Sequence, residues 1–500
     1  MNLREERGAF WWHGEPIAQG DSAPASAVAG QLFIDEQGRS RLELDGNLSS
    51  GTANSPRPVA FDPMPEGAAI AGVIKGKNQH VFLSGLLRSG FNFSMMSHET
   101  FRAENCLIGD NPFPAGDVLS QFRSLEIDLT GFEAWVGLRS IDFTSKRSSI
   151  TVKYKRPKDL VYPLDDGKLS IRYYINRPFN WKDKTHALTL SELSTLHYGF
   201  SAPRTLEDIK AQYSHLEEWL ILMTNSEHSL DWPEVTVKSE DFRYNLYFFR
   251  VRNTALPPEM FECYPPLALV RDQLGQLFAA WKEKRDKYGS AFVLYVASRR
   301  GFRLYTENRF TNFAVAMESY HRSKFPPATV AEPAALPSNL DKKIQRILGQ
   351  IAKASDRKWL GDRLKHAEVG LKERITQTIM SMPLELEEDR CEHFGEECGQ
   401  RRNDLSHYGG RRDNTRPYDE FHGDLYLKSE ALFYLLHVLI LQELGIPAEL
   451  LRRFVYQSDA SFKIKHAFVA VGLLDKSVLK PPPMQIPTLQ RPTAEDTNVA

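Results

Sequence analysis

Over the first two hundred positions, apolar and polar residues alternate in short runs broken by glycine, proline and asparagine. Residues 41–46 read polar, apolar, polar, apolar, and then turn at Asp45-Gly46. Residues 70–74 and 81–87 flank Gly76-Lys77-Asn78, which predicts a hairpin connection. The same two-residue period recurs over 122–129, 149–154 and 169–175. Many short strands with this punctuation predict a β-rich region, either a sandwich or a distorted barrel. Residues 21–26 read as a loop, and the cluster Phe10-Trp11-Trp12 is expected in the core of an edge strand.

The pattern then becomes mixed. Thr205 is placed to cap a helix running towards Met223, with Glu207 and Asp208 in its first turn. A strand-like run covers 242–251. A second helix is predicted over 267–287, after Pro265-Pro266, with Leu274, Phe278 and Trp281 on one face. Residues 291–297 suit either an extended or a short helical segment. From about residue 303 the period is helical. Phe310, Phe313, Ala314 and Met317 make one stripe, ended near Pro326-Pro327, and 327–337 is a breaker-rich connection. Leu340, Ile344, Ile347, Leu348 and Ile351 make a second stripe; Leu360, Leu364, Leu371, Ile375 and Ile379 make a third. A last long helix over 425–444 ends at Gly445. The expected class is α+β: a β-rich domain over 1–200, a mixed segment over 201–302 continuing it, and an all-α antiparallel bundle over 303–475. The tail 476–500, with Lys480-Pro481-Pro482-Pro483 and no apolar period, is expected to be disordered.

Composition narrows the function. Hydrophobic content of 42% and charged content of 25% are ordinary for a soluble globular chain. A net charge of −1 argues against binding nucleic acid through bulk electrostatics, so any such contact must be a local patch. Cys106, Cys263, Cys391 and Cys398 are too sparse for a secreted disulfide framework. The first seven residues are charged, with no apolar signal core behind them, and the apolar run 431–441 is shorter than the ~20 residues of a membrane span. A reducing cytoplasm is the expected compartment.

The candidate chemistry lies in Arg402-Asn403-Asp404-Leu405-Ser406-His407, just before Gly409-Gly410. On a helix, five steps turn through about 140° and rise roughly 7.5 Å, so Arg402 and His407 do not share a face. Asn403 and His407, at i and i+4, do share one, and the Asn403 amide is suited to orient the imidazole. Arg402 offers a planar, permanently charged fork for phosphate, and His407 a general acid/base near neutrality. Between 401 and 416 stand five arginines (401, 402, 411, 412 and 416) against two aspartates. Arg401, Arg411 and Arg412 are therefore candidate RNA-binding residues, joined by Tyr408, and Tyr418 and Phe421 are candidates to stack on an unpaired base.

An arginine, a polar residue, three more residues and a histidine on a C-terminal helical bundle resemble the motif of HEPN-superfamily ribonucleases. The match is Arg402, Asn403 and His407. Residues 309–313 and 317–322 are similar to the first helix of ApeA-type HEPN domains, and 441–446 to their end. Gly8-Ala9-Phe10-Trp11-Trp12, Val28-Ala29-Gly30-Gln31-Leu32 and Leu42-Glu43-Leu44-Asp45-Gly46 are similar to the N-terminal domain of ApeA proteins. The resemblance implies a bacterial anti-phage defence factor acting by abortive infection, whose toxic activity is that of a metal-independent HEPN RNase without a cofactor. It places an acidic residue at Glu318, as an orienting partner of His407 or Arg402 or as an ordinary surface carboxylate. It also implies a homodimer, because HEPN nucleases bring two motifs together. RNA is then the expected substrate, tRNA among the candidates, and a phage-derived trigger is expected on the N-terminal domain.

Without that resemblance, the basic cluster reads as the complement of a helix dipole, as Glu385, Glu387, Glu388 and Asp389 do at the other end. Cys391, His393 and Cys398 invite zinc, but Cys-x-His-x4-Cys matches no common zinc module, so structural roles are expected and no metal. His422 and His437 are read as packing or surface residues. The competing function is a non-enzymatic HEPN interaction protein or an RNA-binding adaptor, acting as a sensor.

Overall fold

The computed structural model describes residues 2–48, 64, 67–92, 98–114, 116–137, 140–176, 189–239, 242–260, 262–300, 304–325, 338–365, 369–408, 410 and 417–479. The chain forms two compact units, one of residues 1–304 with 440–447, the other of 305–439 with 448–500.

In the first unit, six strands close on themselves. They are β1 (Asn2–Trp12), β2 (Val28–Asp35), β3 (Ser40–Leu44), β4 (Ile70–Ile74), β5 (Gln79–Asn92) and β6 (His98–Gly109). Their order is β6-β3-β2-β1-β4-β5, and β5 pairs back onto β6, so the sheet is an antiparallel barrel. Closure of the ring leaves no free edge among these six strands. The two-residue period supplies the filling: Leu32, Ile34, Leu42 and Leu44 all face inward with Phe10, Ile70, Val81 and Phe101. Gly76 and Asn78, at φ 80° and 50°, make the tight turn between β4 and β5.

Strand β6 also opens the barrel into a wider sheet. Its first half pairs with β3, Leu42 opposite Phe101, and its second half pairs with β14 (Arg243–Phe248), Leu246 opposite Leu107. Beyond β14 the sheet continues through β13 (Glu234–Val237), β7 (Phe122–Asp128), β12 (Ser191–Arg204), β11 (Gly167–Asn176) and β10 (Leu160–Leu164). Strands β8 (Ile141–Lys146) and β9 (Ser149–Tyr154) pair only with each other. The barrel alternative therefore holds, with an open sheet attached. Phe10 and Trp11 are buried as core residues, but β1 is an inner strand lying between β2 and β4 rather than an edge.

Among its described residues this unit also has the helices α1 (Glu133–Val136), α2 (Leu206–Thr224), α3 (Leu267–Val270), α4 (Leu274–Tyr288) and α5 (Ser290–Arg299). Thr205 caps α2 in a full capping box with Asp208. The helix expected over 267–287 is interrupted by a 3-10 turn at Arg271–Gln273, and 291–297 is helical.

The second unit is helical: α6 (Thr306–Lys324), α7 (Ser338–Gly349), α8 (Ala354–Lys365), α9 (Leu371–Met380), α10 (Glu388–Tyr408), α11 (Tyr418–Glu443), α12 (Ala448–Tyr456) and α13 (Ser461–Ala470). The third apolar stripe is two helices, since Gly370 starts α9 afresh. Helices α12 and α13 follow Gly445, beyond the last helix expected. Arg309 clamps α6 to α11 by pairing with Glu430 while stacking on Phe313 and Phe433. The connection 327–337 and the tail from 480 lie outside the described residues.

Phe10 lies directly over Gly72, where an added Cβ would stand 2.4 Å from its ring. Phe10→Ala is expected to cost the barrel roughly 3–5 kcal/mol in denaturant unfolding, against about 1 kcal/mol for Thr205→Ala at the α2 cap. Equal losses would mean that Phe10 does not anchor the barrel core.

Candidate functional site

Helix α10 carries two small residues one turn apart, Gly395 and Gly399. A Cβ on Gly395 would stand 2.7 Å from Thr376 Oγ1 and 2.8 Å from the Lys372 carbonyl; at Gly399 the nearest atom, the Lys372 nitrogen, is 3.7 Å away. The missing side chain at Gly395 lets α9 press directly onto α10. One turn further along the same side come Arg402 and Asn403. Both line a cavity of about 470 Å³ at the N-terminal end of α9, together with Glu318 and Arg322 of α6 and Arg374 and Lys372 of α9.

The charges of this cavity are mostly matched. Glu318 binds Arg322 at 3.0 Å and Arg374 at 3.7 Å, and Lys372 binds Glu396 at 3.1 Å. Arg374, nearly buried, also donates from Nε to the Val369 carbonyl at 2.6 Å. Arg402 differs. It is half-buried and makes no ion pair or side-chain hydrogen bond among the described residues. Its neighbours Val369, Gly370 and Leu371 begin α9, whose N-cap has no side-chain hydrogen bond, so the helix adds partial positive charge there.

The other side of α10 is locked to α11. Arg401 binds Asp424 through Nε and reaches Asp404 at 3.4 Å, with its guanidinium 5.6 Å from the Phe421 ring centre. Lys428, almost fully buried, pairs with Asp424 and with Glu397 at 3.2 Å. Burial alone would push the Asp424 carboxyl up, but hydrogen bonds and charge from Lys428 and Arg401 outweigh it and hold the group below the usual carboxylate range. Arg401 is thus an internal anchor, and Phe421 is buried beneath it instead of being open to a base.

The remaining candidates are placed as follows. His407 and Asn403 are exposed, and no hydrogen bond joins them among the described residues; His407 lies outside the cavity lining that holds Arg402. Glu318 shares the cavity with Arg402 but is paired with two other arginines. Tyr408 ends α10, and its side chain lies outside the described residues, as do Arg411, Arg412 and Arg416 altogether. Tyr418 is exposed and its hydroxyl donates to Glu307. His437 packs on Phe454.

Cys391 and Cys398 are buried thiols, with burial pushing Cys391 up to about 11 and Cys398 upward as well, while His393 faces outward beside Glu397. Among the described residues no three His, Cys, Asp or Glu side chains gather as a metal site. No helix of the described residues is long and apolar enough to cross a membrane. Sequence reasoning passed over Lys428, Asp424 and Arg374. The i,i+4 pair Asp424 and Lys428, at the head of an apolar helix, was the available signal.

The chain matches the ApeA N-terminal domain 1 over residues 5–281 and the Apea-like HEPN domain over residues 311–450. The first match alone covers more than half of the 500 residues, and the chain belongs to the ApeA-like family, with a C-terminal HEPN domain. No curated protein and no solved structure matches it. HEPN domains are generally nucleases that dimerise and bind RNA, and this domain in an ApeA-type chain suggests a defence-related nuclease.

The α10–α11 ion network gives a pH-dependent prediction. Asp424→Ala leaves Lys428 and Arg401 short of their shared carboxylate and should destabilise the helical unit by roughly 3–5 kcal/mol. The Asp424 carboxyl has a depressed folded value. Its stabilisation is therefore present above the ordinary carboxylate range and is lost as pH falls through that value. Urea titrations across acid pH should show a shallower loss in Asp424→Asn than in wild type. Parallel curves would mean that Asp424 titrates no differently in the folded state.

Proposed function

We propose that this ApeA-family chain is an endoribonuclease of anti-phage defence that cuts RNA through attack of the substrate's own 2′-hydroxyl. The observation that carries the reading is Arg402: a half-buried guanidinium, beside a cavity and a helix N-terminus, with no carboxylate partner among the described residues. Its neighbours Arg401, Arg322 and Arg374 are all paired. An arginine kept open in so ion-paired a setting suits an anion that arrives with the substrate.

RNA carries its nucleophile, so the protein has only to move protons and stabilise the crowded phosphorane. His407 is assigned the proton transfer and Arg402 the phosphate oxygens, bidentately. Asn403, exposed on the face it shares with His407, is assigned the orientation of the imidazole once substrate is bound. Glu318 acts at one remove, by holding Arg322 and Arg374 at the cavity wall. The 2′-oxygen bonds to phosphorus as the 5′-oxygen leaves with a proton. The products are a 2′,3′-cyclic phosphate and a 5′-hydroxyl, and no metal is required.

One chain supplies one motif histidine where the reaction needs both an acid and a base, so the working unit is a homodimer with a composite site. The N-terminal domain then senses a phage-derived trigger or restrains the nuclease until infection. Single-stranded loops, tRNA anticodon loops among them, are the substrate class that an exposed His407 suits.

Mapping of cellular RNA ends after induction, wild type against His407→Ala, tests the reading. New 5′-hydroxyl ends should appear with wild type and fall by about 100- to 10,000-fold with His407→Ala. Arg402→Lys, which keeps the charge and loses the fork, should fall between them. If wild type yields no such ends under infection, or the His407→Ala chain yields as many, the nuclease assignment is wrong. Full protection from phage by His407→Ala would instead favour the non-enzymatic HEPN role.

A further inference from the structure

The β8–β9 hairpin is unlike the rest of the first unit. Its two strands pair only with each other, Ile141 opposite Tyr154, Phe143 opposite Val152 and Ser145 opposite Ile150. Alternation puts these six residues on one face, which is apolar but for Ser145. Its outer part is bare, with Phe143 65% exposed and Ile150 68%, while Ile141 and Tyr154 at its base are half-buried. The opposite face carries Asp142 opposite Lys153 and Thr144 opposite Thr151. A two-stranded hairpin with a bare apolar face is marginal by itself in water, and an exposed patch of this kind marks a contact surface.

Charge indicates what the contact is with. Residues 141–159 hold Lys146, Arg147, Lys153, Lys155, Arg156 and Lys158 against only Asp142 and Asp159, in a chain whose net charge is −1. Arg156 is tied to Asp159 at 3.1 Å. The other five cations make no ion pair among the described residues. A second copy of this face would bring like charges together, whereas a polyanion would neutralise them. Phe143 stands exposed on the apolar face and Tyr154 half-buried at its base, while Lys146 and Lys153 project from the other face of the two-stranded ribbon. Cations for a backbone and ring faces for unstacked bases are the two requirements of a single-strand binder.

We propose that the β8–β9 hairpin is a docking arm for single-stranded RNA. Phe143 stacks on a base, and Lys146, Arg147, Lys153 and Lys155 reach round the edges of the narrow ribbon to the phosphates. The choice of RNA rests on the nuclease reading above; the arm holds substrate at residues separate from Arg402 and His407.

The test uses the full chain in a His407→Ala background and a fluorescent 20-nucleotide oligouridylate, titrated at several salt concentrations. Phe143→Ala should weaken binding by about five- to a hundredfold. Lys146→Ala with Lys153→Ala should lower the slope of log K against log salt by about 1.4. Both changes lie on exposed positions, so the fold should survive, as circular dichroism can check. Unchanged affinity and slope in both variants would overturn the proposal. So would tighter binding to duplex DNA or to anionic phospholipid vesicles than to the oligouridylate. The two readings fail separately. Hairpin variants in an otherwise wild-type chain that bind and cleave normally remove the arm alone, and hairpin-dependent binding by a wild-type chain that never cleaves removes the nuclease.

Discussion

The second unit depends on the ion network that joins α10 to α11. Arg401, Asp424, Lys428, Glu397 and Asp404 bring two cations and three carboxylates together, with the Lys428 side chain only 3% exposed. Such groups are costly to remove from water, and the arrangement holds only if each finds its partner. That requirement sets the rotation of α10 about its axis. A helix turned by one residue would aim Arg401 away from Asp424 and leave Lys428 short of Glu397. On the far side, Gly395 sets the approach of α9, because any larger residue there would meet the Lys372 backbone or Thr376.

Two adjacent arginines therefore differ in kind. Arg401 faces the network and is held by two carboxylates and an aromatic ring. Arg402, one step of about 100° further round, faces the α9 cavity without a carboxylate among the described residues. A string of basic residues in sequence becomes one structural cation and one available cation because a helix separates neighbours. The same step of geometry leaves His407 outside the cavity wall, on the solvent side of the last turn. Arg402 and His407 of one chain are thus displaced from each other, which is the arrangement a composite site built from two copies would need.

How much of this was legible follows from range. Local periods placed the strands at 70–74 and 122–129, the Thr205 cap and the long helix before Gly445, because each rests on neighbours a few residues apart. Closure of the barrel rests on the pairing of β5 with β6 around six strands, and β6 changes partner from β3 to β14 halfway along. No local pattern carries that. The third stripe looked continuous because Leu364 and Leu371 keep helical spacing, but Gly370 begins a new helix between them. At the site, Arg402, Asn403 and Glu318 line one cavity, while His407 of the same motif lies outside it. Arg401 and Phe421 look identical in sequence to an available cation and an available ring. Only the packing of α11 shows that each occupies the other.

Charge distribution ties the two units to one kind of ligand. A chain of net charge −1 has no long-range pull on nucleic acid, so the RNA proposed as its substrate would be met by segments where cations outnumber acids. The structure has such cations in two forms. In the α9 cavity of the helical unit Arg322, Lys372 and Arg374 are neutralised within the fold, and Arg402 stands out there by lacking a carboxylate among the described residues. In the β8–β9 hairpin and the residues just after it, five of six lack one among the described residues. The first form suits one phosphate held in register for chemistry, where a surplus of charge would bind product as firmly as substrate. The second suits a length of backbone held loosely, where many weak contacts are screened by salt and exchange quickly. On the nuclease reading proposed above, keeping these apart lets binding strength be set at the hairpin without altering the groups that cut.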